Sequence, residues 1–183
     1  MSPVVVALSL ALQQSAVPPP VEQVTANCTA PVYASEHLIC SDPELLEQEG
    51  RIAGLWRASQ ETWSPNPWLE QQDLWFRRRA LCAFRTDHRA CLSGANAERL
   101  SVLGASQPRG GTAIRVQCTA DGNQVSLSMV RSGSALAAYD QQRLVWVATR
   151  ARPEWTPYVR WDGGRSFTVR QVDGLRQRCR TVR

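Results

Sequence analysis

The chain has no lysine: all 21 of its basic residues are arginines. A GC-rich genome explains that more simply than chemistry does, yet it leaves only planar guanidinium cations, which favour bidentate partners. Histidine is nearly missing, with His37 and His88 far apart in the chain. No Cys-x-x-Cys pair occurs, so no zinc site is expected. G-x-S-x-G, H-E-x-x-H and a phosphate-binding glycine loop are absent as well. Carboxylate pairs such as Glu47 and Glu49 fit solvated charge on a helix surface. These gaps argue against an enzyme, and no catalytic residue, metal or cofactor is expected. Long apolar runs are also missing. Residues 4–12 form a stretch like a signal-peptide core, too short to span a bilayer, so no stable membrane span is expected.

What the chain does have is six cysteines, split four and two. An even count without a spare thiol suggests an exported, oxidised protein, periplasmic or secreted. Residues 1–27 read as a signal-like segment and a Pro-rich linker, although no Arg or Lys precedes the apolar stretch. Thr25-Ala26-Asn27 before Cys28 is unlike a lipobox, so lipid anchoring is not expected. At 183 residues the chain has room for two small modules, each a size at which disulfides matter. Local Cys28–Cys40 and Cys82–Cys91 links are the simplest pairing, but four cysteines allow three connectivities. Closing the 61 residues between Cys118 and Cys179 would contribute about 4 kcal/mol in the chain-entropy picture.

Hydrophobic spacing divides the chain at the same place. Asp42-Pro43-Glu44 is a helix start, and Leu45, Ile52, Leu55, Trp56 and Trp63 recur at helical intervals. Ser64-Pro65-Asn66-Pro67 breaks the pattern before a second helix over about residues 68–84, and a third is expected over 90–103. Beyond a linker at 106–111, alternation takes over: Ile114, Val116 and Cys118, then Val125, Leu127 and Met129 around an Asp121-Gly122 turn. Further strands are expected near residues 135–139, 143–148, 158–161, 165–172 and 175–181. The fold class expected is α+β in two small domains: a disulfide-stapled helical bundle over 28–105, then a small antiparallel β-barrel over 112–183. A Cys118–Cys179 bond would tie its first strand to its last.

The first half resembles the LprI-type lysozyme-inhibitor domain over residues 28–103. The matching runs are Cys28, Glu36-His37-Leu38-Ile39-Cys40-Ser41-Asp42-Pro43-Glu44-Leu45, and Gln71-Gln72-Asp73-Leu74-Trp75-Phe76-Arg77-Arg78-Arg79 leading to Cys82. Cys91-Leu92 and Arg99-Leu100 complete them. The matches are of fold-determinant type, so Trp75, Arg79 and Arg99 are expected to serve packing and ion pairing.

The second half resembles, more distantly, the MliC/PliC inhibitors of C-type lysozyme, small β-barrels with a disulfide between an early strand and the last. Their inhibitory loops carry a Ser-Gly-Ala-Arg-Tyr-like stretch and a Trp-Thr-Lys-Gly-like turn. Thr149-Arg150-Ala151-Arg152 stands at the first position here, and Trp161-Asp162-Gly163-Gly164 at the second, with Gly163 where the lysine would be. Lysozymes cleave glycosidic bonds with two carboxylates facing across a cleft. A plug needs a cation and a hydrogen-bond donor on a rigid loop. The resemblance therefore implies that the protein binds and inhibits lysozyme or a related muramidase. Thr149 would supply the hydroxyl, Arg150, Arg152, Arg160 or Arg165 the cation, and Trp155 and Tyr158, with Trp161, the rim aromatics.

Charge supports a second expectation. Residues 1–105 carry 8 Arg and 11 acids, net −3, and residues 106–183 carry 13 Arg and 5 acids, net +8. A C-type lysozyme is itself usually basic, so attraction would have to come from its acidic cleft, over about one Debye length, ~8 Å at physiological salt. Arg170, Arg176, Arg178, Arg180 and Arg183 crowd near the C-terminus. They suit a non-enzymatic module that binds an anionic cell-envelope polymer such as peptidoglycan. Nucleic acid fits the charge but not an exported, oxidised chain.

Overall fold

The computed structural model describes residues 24–60, 63–107, 113–120, 122–150 and 155–182. The signal-like stretch at 4–12, most of the 106–111 linker, Asp121, Arg152 and Arg183 lie outside the described residues.

Four helices come first: α1 (Ala34–Ser41), α2 (Pro43–Ser59), α3 (Gln72–Ala80) and α4 (His88–Ser106), with a 3-10 turn Leu81–Phe84 after α3. Asp42 starts α2 as the composition suggests. Its carboxylate accepts the Glu44 and Leu45 amides at 3.0 and 3.2 Å, and Pro43 needs no partner at the first position. The second expected helix is shorter than its apolar pattern, because Trp68 and Leu69 belong to the Asn66–Leu69 turn that precedes α3. Disulfides Cys28–Cys40 and Cys82–Cys91 staple this half, closing 12 and 9 residues. Buried Glu36 organises the segment under the first disulfide, accepting the Asn27, Val32 and Tyr33 amides at 2.8–3.0 Å.

Seven strands follow: β1 (Ile114–Ala120), β2 (Asn123–Ser132), β3 (Ala135–Asp140), β4 (Arg143–Thr149), β5 (Val159–Trp161), β6 (Ser166–Gln171) and β7 (Arg176–Thr181). They close into a barrel in chain order, with β1 antiparallel to β7 and Cys118 bonded to Cys179 directly across that pair. An odd ring of strands cannot be antiparallel at every step, so at least one neighbouring pair must run parallel. That pair is β4 and β5, joined through Thr149 opposite Arg160. The barrel is thus antiparallel at six of its seven steps. The parallel step requires a crossover, and the chain between β4 and β5 supplies it.

Alternating residues fill the barrel: Val116, Cys118, Leu127, Met129, Leu136, Ala138, Trp146, Ala148, Val159, Trp161, Phe167, Val169 and Cys179 form one buried cluster. β3 and β4 are buried on both faces. Ala135 and Ala137 on the outer side of β3 join Val147 and Leu144 of β4 in a second cluster with Ile52, Trp75, Phe76, Val102, Leu103 and Ala105 of the helices. Small alanines let α4 approach the sheet closely. A bulge between Ala138 and Tyr139 shifts the β3–β4 register, pairing Tyr139 with Leu144 but Ala138 with Trp146. Helices and barrel therefore meet over a shared core.

Candidate functional site

The crossover between β4 and β5 decides what the barrel can present. Thr149 ends β4 and is only 4% exposed, its hydroxyl buried without a partner among the described residues. Trp155 is also buried, at 8%. Its indole N–H donates to Glu98 of α4 at 2.7 Å, and the Tyr158 amide donates to the same carboxylate at 3.1 Å. Arg78 of α3 stands over the Trp155 ring at 4.5 Å and donates to the Thr156 carbonyl at 3.0 Å. It forks onto Glu70 through two 2.6 Å bonds and reaches Glu98 at 3.0 Å. The Tyr158 hydroxyl donates to the Pro67 carbonyl at 3.3 Å and accepts from the Gln171 amide. Trp155 and Tyr158 thus anchor the crossover to the helices, Trp155 as a buried residue and Tyr158 as a half-buried one.

The electrostatics of this hub follow from its burial. Burial works against the Arg78 charge, but the Glu70 and Glu98 carboxylates outweigh it and hold its pKa above the ordinary value. Burial pushes the Glu70 carboxyl up, against the pull of Arg78. α3 places Arg78 and Arg79 about 100° apart around its axis. Arg79 therefore turns inward, bound to Glu49 and to Asn96. Trp75, Arg79 and Arg99 are all buried. Arg99 donates to Gln72 at 2.9 Å and to the Glu70 carbonyl at 3.1 Å, and burial pulls its pKa down to about 10.

What remains exposed is a corner of the barrel. Arg150 is exposed and stacks over Trp161 with its guanidinium 4.8 Å from the ring, and Arg131 approaches the same ring at 5.4 Å. Trp161 itself is buried and packs edge-on against Phe167. The turn after it runs through Gly163 and Gly164 at φ +86° and +90°, backbone that side chains rarely adopt. A Cβ at Gly163 would also stand 3.0 Å from the Trp161 ring and 3.7 Å from the Arg150 guanidinium. The turn is capped by Asp162, which accepts the Thr168 amide at 2.7 Å. Arg165 is exposed at its far end, and Arg160 is exposed on β5.

Of the sequence-derived candidates, the structure leaves Arg150, Arg160 and Arg165 exposed. It buries Thr149 and Trp155, tethers Tyr158, and does not describe Arg152. The residues missed from sequence are Arg78, Glu70 and Glu98. Nothing marks Arg78 within the Arg77-Arg78-Arg79 run except helical phase relative to Trp75 and Phe76. Among the described residues, no group of three or more His, Cys, Asp or Glu is placed to hold a metal. No described helix is long and apolar enough to cross a membrane. Comparison of the chain with protein-family models, curated proteins and solved structures finds no match.

Proposed function

We propose that this chain is a non-enzymatic binding protein of an oxidising, extracytoplasmic compartment that engages the carboxylate-lined cleft of a lysozyme-type glycosidase. The observation that carries the reading is the exposed corner of the barrel. Arg150 stacks over Trp161, beside a glycine turn that ends in exposed Arg165. A cation stacked on a ring has less freedom to lose on binding, which is what a cleft plug requires. Three disulfides, and no unpaired cysteine among the described residues, support the compartment. The resemblance of both halves to lysozyme-inhibitor families supports the partner.

The reading differs from its sequence-level form in which atoms act. With the Thr149 hydroxyl buried and no side chain at position 163, contact with the cleft falls to guanidinium groups. Arg150 and Arg165 are the contact residues, and Trp161 positions Arg150. The test is turnover of cell-wall substrate by a C-type lysozyme with the purified protein added. Inhibition at micromolar protein, lost in Arg150→Ala with Arg165→Ala while the melting curve is unchanged, is the expected result. Absence of inhibition by the unaltered protein overturns the proposal.

A further inference from the structure

The outer wall of β5, β6, β7 and β1 carries arginines in an arrangement that costs the sheet energy. Strand alternation puts Arg176, Arg178 and Arg180 on the outside of β7, since Gln177 and Cys179 between them are buried. Arg170 stands directly opposite Arg176, and Arg160 directly opposite Arg170, so three like charges line up across β5, β6 and β7. Like charges placed opposite one another destabilise a sheet. Asp162 relieves only one of them, at 3.6 Å from Arg170. The Arg170 Nε is buried without a partner among the described residues.

The other rungs are built of neutral hydrogen-bonding groups. Arg180 lies between Gln117 of β1 and Ser166 of β6, and Arg178 between Thr119 and Thr168. The Arg180 guanidinium already donates to the Gln117 side chain at 3.0 Å. Gln117, Thr119, Ser166, Thr168, Arg178 and Arg180, together with the Asp162 carboxylate, line an open groove of about 410 Å³. Along β7 the arginines recur about every 6.7 Å, twice the rise per residue. The Cys118–Cys179 bond lies directly beneath, on the inner side of the same two strands.

We propose that this wall binds a linear phosphodiester polymer laid along β7, with successive phosphates on Arg176, Arg178 and Arg180. A guanidinium grips a phosphate with two parallel bonds. A carboxylate held by the same fork is coplanar with it and keeps its spare lone pairs in that plane. A tetrahedral phosphate offers lone pairs out of the plane, toward the hydroxyls and amides that flank each arginine. No aromatic side chain stands on the described outer face of β5, β6, β7 and β1, so there is no platform for stacked bases. The polymer recognised is therefore one read through its backbone, such as a polyol phosphate. The groove meets the Arg150 corner at the Asp162 turn, but the inference does not depend on lysozyme binding.

The experiment measures binding of a short labelled poly(glycerol phosphate) to the full chain across a range of salt. With the three β7 arginines engaged, the logarithm of affinity should fall with slope about −2.1 against log salt, roughly a twentyfold loss between 50 and 200 mM. In Arg176→Gln with Arg178→Gln and Arg180→Gln the slope should fall close to zero, with affinity at low salt at least about tenfold weaker. The corresponding triple Arg→Lys variant should keep the steep slope and still bind more weakly, because it keeps charge but loses the fork. Arg150→Ala should bind like the unaltered protein. An unchanged slope and affinity in the triple Gln variant overturns the proposal. So does polyglutamate of equal charge binding as tightly, single-stranded DNA binding more tightly, or anionic vesicles outcompeting the polymer.

Discussion

Replacing Arg78 by Met tests whether the crossover is anchored as described. The substitution keeps an apolar stem beside Trp155 and removes the guanidinium. Glu70 and Glu98, with side chains 5% and 4% exposed, then lose the cation that binds both. Breaking a buried pair by removing one partner costs about 3–5 kcal/mol, because the surviving charge stays desolvated. For a chain of this length that lowers the melting temperature by about 6–20 °C. The deficit must also depend on pH. Burial already raises the Glu70 carboxyl, and loss of Arg78 removes the main influence lowering it. A carboxyl whose folded pKa lies above its unfolded value binds its proton more tightly in the folded state. The stability this contributes is complete below the unfolded value and disappears as pH rises through the folded one. Arg78→Met should therefore come closest to the parent near pH 4 and fall behind as pH rises toward 7, in urea titrations followed by tryptophan fluorescence. Adding Glu98→Gln should recover part of the loss at neutral pH, because one stranded charge is gone. A deficit under about 1 kcal/mol at every pH would place Arg78 with ordinary surface pairs and refute the anchoring argument.

Two further perturbations address local geometry. Gly163→Lys puts a cationic side chain into the turn beside Trp161 and Arg150. It should destabilise the protein by about 1–3 kcal/mol through the positive φ alone, more with the Trp161 contact, and should weaken inhibition; a neutral effect on the urea midpoint would contradict the close approach. Asp42→Asn keeps a competent helix cap but removes the ion pair with Arg89 at 2.7 Å. The Arg89 hydrogen bond, with help from the Leu45 amide, holds the Asp42 carboxyl below its ordinary range. Its contribution is present above the unfolded value and is lost as pH falls through the depressed folded one, so the Asn variant should show a shallower loss of melting temperature below about pH 4.

Much of the scaffold is legible in the residues, for reasons that are local. Period-two alternation at Ile114, Val116 and Cys118 and glycine turns after Asp121, Asp162 and Asp173 place the strands, since each is decided by a few neighbouring residues. The Asp42-Pro43 start of α2 is similarly self-contained. What the residues do not announce is the contact between helices and barrel. β3 reads Ala135-Leu136-Ala137-Ala138, without clear alternation, because both of its faces are buried and the outer one meets α4. The fate of the crossover was illegible for the same reason. An aromatic such as Trp155 has the same composition on a binding rim as in a buried anchor, and only the position of Glu98, 57 residues earlier, distinguishes them. The arginine wall was half visible. The Arg176, Arg178, Arg180 spacing marks one face of a strand, whereas Arg160 and its alignment with Arg170 depend on register across the barrel.

Barrel closure connects these observations. A ring of seven strands with its first and last antiparallel demands a parallel step, and the crossover that makes it has to lie over one part of the barrel. Here it is held against α3 and α4 through Arg78 and Glu98, with Thr149 and Trp155 buried and Tyr158 tied to Glu98 through its amide. The opposite consequence falls on β5 to β7, whose arginines no helix covers. Two cationic surfaces remain, the Arg150 corner and the β7 groove, and they differ in how they should respond to salt. A few cations entering an acidic cleft, where water is excluded, lose little affinity as ionic strength rises, whereas an open row of three on a polymer backbone loses it more steeply. Salt dependence measured for both ligands on one preparation therefore distinguishes the two proposed modes of binding.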